Sequence, residues 1–193
     1  MNHKKIYLDN CVTTPTAPEV VEAMRPYFTD QFWFPGTFIS TGEATNAALA
    51  EFRGTIARSL NAAADEIHFT SGGTLANNIA IKGLLGANSV AGKHIIVSVV
   101  DYPDLLTNAA YFEKLGFAVT YLEPDAEGFV SADKLKAALR PDTVLFMTTI
   151  VNHVVGTIQP VKEYNAVLKN ADYKIWFHAD AGQAYGKMPL DVN

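Results

Sequence analysis

From about residue 66 onward the chain alternates between short apolar runs and amphipathic stretches, and this alternation limits its fold more than any other feature. The apolar runs cover 67–70, 94–99, 117–122, 143–148 and 174–179. Between them, the stretches near 75–86, 104–115, 131–139 and 160–169 read as helices. Repeated strand-helix-strand units predict an α/β fold, a mostly parallel sheet with helices on both faces. The runs are continuously apolar rather than alternating, as strands covered on both sides require.

The first third reads differently. Thr16-Ala17-Pro18-Glu19 has the form of a capping box with a proline in the first helical turn. Val20, Val21, Met24, Tyr27 and Phe28 then fall on one helical face. An aromatic-rich loop over 32–38 follows, and a long helix near 43–60 aligns Leu49, Phe52, Ile56 and Leu60. There is no internal repeat and no linker. The alternation stops while the sheet is still growing, so 188–193 do not read as a domain end, and an open sheet edge there predicts self-association.

Composition narrows the function. A chain of 193 residues with 49% hydrophobic and 18% charged residues can build one real core. Its formal net charge of -5, without a basic stripe on any expected helix, argues against a nucleic-acid surface or an anionic-lipid surface. No run of about 18 apolar residues exists to span a membrane, and the N-terminus lacks the apolar core of a secretory signal. With Cys11 as the one cysteine no intrachain disulfide can form, and a reducing, cytoplasmic location is expected. No histidine partner stands near Cys11 in sequence, so it is expected as a small buried residue.

Ligands of open parallel sheets bind beyond the carboxyl ends of the strands, so residues there carry the functional weight. At 70–74, Thr-Ser-Gly-Gly-Thr joins an expected strand to an expected helix. Its small residues, Gly73 among them, and the hydroxyls of Ser71 and Thr74 could cradle an anion on the helix N-terminus; a tight turn with a Ser or Thr cap has the same composition. Asp180 could pair with a protonated ring nitrogen or serve as a turn aspartate. Gln183 lies close enough in sequence to reach the same ligand. His178 is expected to alternate away from Asp180 into the core. Tyr102 could stack on a flat ring or cover the sheet edge. Asn152 and His153 offer hydrogen-bonding groups at another strand end. The P-loop and GxGxxG patterns are absent, and no metal-ligand cluster is expected.

In this order the segments resemble those of cysteine desulfurases, pyridoxal-phosphate enzymes of the class V aminotransferase type. Tyr7-Leu-Asp-Asn-Cys-Val-Thr-Thr-Pro15 is similar to that family's YLDNAATTP. Phe69-Thr-Ser-Gly-Gly-Thr-Leu-Ala-Asn-Asn-Ile-Ala-Ile-Lys-Gly83 is similar to FTSGATEANNLAIKG. Gly116-Phe-Ala-Val-Thr-Tyr-Leu122 and Arg140-Pro-Asp-Thr143 resemble GFEVTYL and RPDT. Val151-Asn-His-Val-Val-Gly-Thr-Ile-Gln-Pro160 is similar to VNNEIGTIQP, and the stretch from His178 to Val192 to HTDAAQAVGKIPLDV. The ordered set covers essentially the whole chain.

The resemblance implies the N-terminal portion of the large domain of a fold-type I pyridoxal-phosphate enzyme. Residues 16–193 would form an incomplete cofactor domain, and 1–15 would contribute to the small domain or the active site. It further implies that Gly73 and Thr74 bind the cofactor phosphate, Asp180 pairs with the pyridinium nitrogen and Gln183 bonds the ring hydroxyl. Tyr102 stands at the family's ring-stacking histidine, and His153 at its second, ring-contacting asparagine, beside Asn152 as a further cofactor-binding candidate. Tyrosine has an unperturbed pKa of about 10, so it can stack but shuttles protons poorly at neutral pH. Further departures are Leu75 and Val154 at glutamate positions and Ile39 at a histidine position.

The family's cofactor-anchoring lysine, in a Ser-x-x-His-Lys stretch, and its sulfur-accepting cysteine lie beyond these 193 residues. Lys187 matches a different family lysine, and Cys11 is not that nucleophile, so no catalytic residue is assigned within the chain. The expected function is that of one part of a desulfurase-like enzyme acting on the C–S bond of an amino acid. A homodimer or a complementing C-terminal chain, and a sulfur-acceptor protein, would be its partners. The rivals are a non-catalytic scaffold or interaction subunit, and a pyridoxal-phosphate C–S lyase or aminotransferase of other specificity.

Overall fold

A computed structural model describes residues 6–87 and 92–192. Residues 1–5 of the expected N-terminal segment lie outside the described residues. The chain divides into two compact units, one formed by Met1–Phe69 with Pro189–Asn193 and the other by Thr70–Met188.

The first unit is helical: α1 Pro18–Met24, α2 Pro26–Thr29, α3 Ser40–Leu60 and a 3₁₀ turn Ala64–Glu66. The expected capping box does not form. The N-cap of α1 is Ala17, without a side-chain cap, because Pro18 occupies the first helical turn and sets the start one residue past Thr16. Pro26 lacks an amide hydrogen, and α2 starts there as a separate helix. Helix α3 ends on Asn61 in the left-handed conformation, φ 56°, with the Ala62 amide donating to the Ala57 carbonyl at 2.9 Å. Cys11 is exposed rather than buried, and its thiol lies 3.1 Å from Asp9 Oδ1. The segment 6–17 forms no helix or strand that could enclose it.

The second unit carries the sheet. Strands β1 His94–Ser98, β2 Ala118–Leu122, β3 Thr143–Thr149 and β4 Trp176–Asp180 alternate with α4 Gly73–Gly86, α5 Pro103–Lys114, α6 Ala132–Ala138 and α7 Val161–Lys169. All pairings are parallel, in the order β2-β1-β3-β4. Odd-numbered residues of β1 and β3, Ile95, Val97, Leu145 and Met147, meet Ile81 of α4 and Leu105 and Phe112 of α5 on one face. Ile96 and Phe146 face the other way, onto Leu135 of α6 and Tyr164 and Leu168 of α7. The helices therefore cover both faces, as the sequence predicts. Each large side chain buried in this way stabilises the fold by roughly 1.5–3 kcal/mol before its ordering entropy is counted.

One expected strand is missing. Residues 67–70 run between the 3₁₀ turn and α4 with no ladder hydrogen bond, and His68 and Phe69 are exposed. A strand exists only where its backbone finds a partner, and none of the described strands pairs with this run.

Candidate functional site

The strand order contains a switch point. The chain leaves β1 to build β2 beside it, then crosses back to lay β3 and β4 on the other side of β1. Ligands of open parallel sheets bind where the order reverses, beyond the carboxyl ends of the strands. Here that place is flanked by Asp101 and Tyr102 after β1 and by Asn152 and His153 after β3.

Asp101 ties the two strand ends together. Its buried carboxylate accepts from the Ser98 amide at 2.9 Å, the Thr149 amide at 2.7 Å, and the hydroxyls of Thr148 and Thr149 at 3.1 and 3.0 Å. Burial pushes its pKa upward, and these four bonds oppose the shift. The Thr149 hydroxyl also accepts from the Tyr102 amide at 3.1 Å, so the same network fixes the tyrosine backbone. The Tyr102 ring packs edge-on against His153, centroids 5.0 Å apart.

Asn152 plays a backbone-organising part. Its amide nitrogen donates to the Val100 carbonyl at 2.7 Å, and its oxygen accepts from the amides of Val154 and Val155 at 2.8 and 3.0 Å. The side chain thereby pins the 151–158 loop to the loop after β1. It presents His153, whose Nδ1 is buried without a hydrogen-bond partner among the described residues. A buried unpartnered nitrogen costs stability, about 1–3 kcal/mol by general experience, and such atoms recur where a ligand supplies the missing partner.

At the end of β4, Asp180 is held on both oxygens. Oδ1 accepts from the Gly182 amide at 2.8 Å, and Oδ2 accepts from Asn77 Nδ2 at 2.9 Å. Asn77, 5% exposed on α4, meets His178 Nε2 through its oxygen at 2.9 Å. With the amide nitrogen donating to Asp180, that oxygen must accept, which assigns the Nε2–H tautomer to His178. The expectation that His178 alternates away from Asp180 is corrected here. Residues two apart on a strand share a face, and Asn77 bridges both. Burial holds the His178 imidazole below the ordinary histidine range, with Asp180 pulling the other way. Gln183 lies in the turn after β4, where its oxygen accepts from Lys187 Nζ at 3.0 Å.

The start of α4 is open. A Cβ added at Gly72 or Gly73 would meet no heavy atom within 4 Å. Beside them, the Thr74 hydroxyl donates to Asp104 Oδ2 at 2.6 Å. Sequence reading singled out none of Asn77, the Asp101 carboxylate or Asp104 as functional. Asn77 sits one turn into α4 on its buried side, and nothing in sequence spacing couples it to a strand about a hundred residues later.

The residues suit a flat ring with a basic nitrogen. Asp180 offers a fixed acceptor, Tyr102 an exposed aromatic face and His153 an unpartnered imidazole nitrogen, all at carboxyl ends of the sheet. The open glycines at α4 suit an anionic substituent. Among the described residues no group of His, Cys, Asp and Glu gathers to hold a metal ion. A parallel sheet carrying such a set at the carboxyl ends of its strands defines an α/β fold of the ligand-binding type.

The family model for class V aminotransferases matches residues 6–193, and the chain belongs to that family. Among curated proteins it is 45% identical to a cysteine desulfurase IscS of Dictyoglomus turgidum, over 98% of this chain and 48% of that protein. It is 40% identical to the mitochondrial cysteine desulfurase of Saccharomyces cerevisiae, over 98% of this chain and 38% of that one. The chain thus spans about half or less of the length of these relatives. Among solved structures, an SspA in complex with cysteine superposes with a TM-score of 0.92 at 37% identity, covering 96% of this chain and 53% of that one. A NifS-like protein superposes with a TM-score of 0.94 at 28% identity, covering 98% and 52%. No helix among the described residues is long and apolar enough to cross a membrane.

Proposed function

We propose that this chain forms part of a pyridoxal-phosphate-dependent, cysteine-desulfurase-like enzyme that acts on the C–S bond of an amino acid. The carrying observation is the Asp180–Asn77–His178 trio, which fixes an acceptor at the carboxyl end of β4. When bound, pyridoxal phosphate supplies an electron sink for a carbanion next to the amino group. The protein's part is to hold the ring. Asp180 keeps the ring nitrogen protonated, and Asn77 keeps Asp180 aimed. Tyr102 covers the ring face, His153 and Gln183 offer hydrogen bonds at the ring, and Gly73 and Thr74 receive the phosphate. Asn152 acts by holding His153 in place.

The anchoring lysine and the sulfur-accepting cysteine would come from beyond these residues. A homodimer or a complementing C-terminal chain, a sulfur-acceptor protein, a role for residues 1–15 beside the active site and a cytoplasmic location belong to the same proposal. The test is titration of the purified protein with pyridoxal phosphate, followed by absorbance and by mass. Asp180→Ala should remove most of the affinity, and a completed enzyme should convert cysteine to alanine, with sulfide released when a thiol reductant is supplied. Equal binding by the wild type and Asp180→Ala would reject the proposed role of Asp180.

A specific observation favours a second reading, a non-catalytic scaffold. Ile39, Leu75 and Val154, which replace polar family residues, are 62%, 43% and 77% exposed. Each of these exchanges a polar group for an apolar one, which removes chemistry from the site without adding any. On that reading Asp180→Ala would leave partner binding intact. A C–S lyase or aminotransferase of other specificity would share the cofactor and differ in which amino acid it consumes.

A further inference from the structure

The α4 N-terminus has an acid beside it. Asp104, in the first turn of α5, accepts from the Thr74 hydroxyl at 2.6 Å, and Asn108 Nδ2 donates to the Asp104 carbonyl at 2.9 Å, fastening that turn. On the other side, Asn78 Nδ2 donates to the Thr74 carbonyl at 2.7 Å, so both partners of the Thr74–Asp104 bond are braced. The ion pairs among the described residues are Arg25–Glu22 and Arg140–Asp142, so none of the described cations pairs with Asp104. A phosphate drawn to the α4 amides needs the Thr74 hydroxyl as a donor, and that one proton already points at a carboxylate.

We infer that Asp104 is a specificity-determining residue that weakens binding of the phosphate end of the cofactor, by occupying the Thr74 hydroxyl and by like-charge repulsion. This rests on the reading of the site as one for pyridoxal phosphate. Asp104 thereby lowers the preference of the site for pyridoxal phosphate over phosphate-free pyridoxal. Asparagine at this position keeps the size and the acceptor oxygen, removes the charge and adds a donor that can serve the phosphate.

The experiment compares pyridoxal phosphate and pyridoxal binding, by calorimetry, to the purified wild type, Asp104→Asn and Asp104→Ala, with inorganic phosphate as competitor. Asp104→Asn should tighten pyridoxal phosphate about tenfold, equivalent to about 1.4 kcal/mol, and leave pyridoxal unchanged. Inorganic phosphate should then compete better against the variant than against the wild type. Unchanged pyridoxal affinity also shows that the variants are folded. If both ligands bind with the same ratio in all three proteins, the role of Asp104 is overturned while the cofactor reading stands. If neither ligand binds to any of them, both are overturned.

Discussion

Replacing Asn77 with alanine removes two hydrogen bonds at once, the one donated to Asp180 and the one accepted from His178, each 2.9 Å long. The side chain is buried, so water cannot freely take its place. Losing a neutral hydrogen bond costs about 1 kcal/mol, and a bond to a carboxylate about 1.5–3 kcal/mol. His178 and Asp180 are only half-buried and partly recover through solvent, which sets the expected loss at about 2–3 kcal/mol. That is a large fraction of a typical domain stability of roughly 5–15 kcal/mol. Urea unfolding followed by circular dichroism would read it as a lower midpoint at constant slope. A double-mutant cycle with His178→Ala isolates the pair, and the coupling should reach about 1 kcal/mol. Cofactor affinity should fall in the same variant, because Asp180 loses its orienting partner. A stability loss below about 0.5 kcal/mol, or strict additivity with His178→Ala, would refute the reasoning.

Acid should weaken the fold below about pH 6.5. Burial depresses the pKa of both His94 and His178, so the folded state stays neutral where the unfolded chain takes up protons. Stability is then complete above the unfolded value and falls as pH drops, by at most about 1.4 kcal/mol per pH unit for each histidine. Flat unfolding midpoints between about pH 8 and 5.5 would contradict this. His153→Phe should leave the cofactor-free protein as stable as the wild type or slightly more so, since it removes a buried unpartnered nitrogen, while cofactor affinity drops; a melt and a titration on one preparation check both. Asp101→Ala strands the Ser98 and Thr149 amides and both threonine hydroxyls, and should cost about 3 kcal/mol or more in urea unfolding, with tolerance of the change disproving the anchoring role.

The sheet was legible in the sequence because its strands are marked by composition alone. Ile95 to Val97 and Val144 to Met147 are apolar on both faces, which a parallel sheet sandwiched between helices requires and an amphipathic helix does not. The same rule failed at 67–70, where an apolar, β-prone run found no ladder partner. Strand propensity describes a surface that accepts pairing, whereas pairing itself depends on a second segment that composition does not reveal. The start of α1 failed for a local reason, because Pro18 outweighed the Thr16 signal.

The candidate site was legible to the extent that it follows topology. Tyr102, Asn152, His153 and Asp180 all sit at carboxyl ends of strands, so locating the strands located them. What orients them is not periodic. Asn77 belongs to α4 and binds two groups on β4, while Asp101 follows β1 and binds the last residues of β3. Each joins segments far apart in sequence: Asn77 reads as an ordinary residue of α4 and Asp101 as an ordinary turn residue until the fold brings its partner near. Asp104 shows the consequence for function. In sequence it is a favourable acid in the first turn of α5, as the helix dipole prefers. In the fold the same carboxylate takes the hydroxyl that the neighbouring helix start would offer to an anion. A residue that suits its own helix can thus oppose the ligand of the next one, and only the contact between the helices decides which effect governs the site.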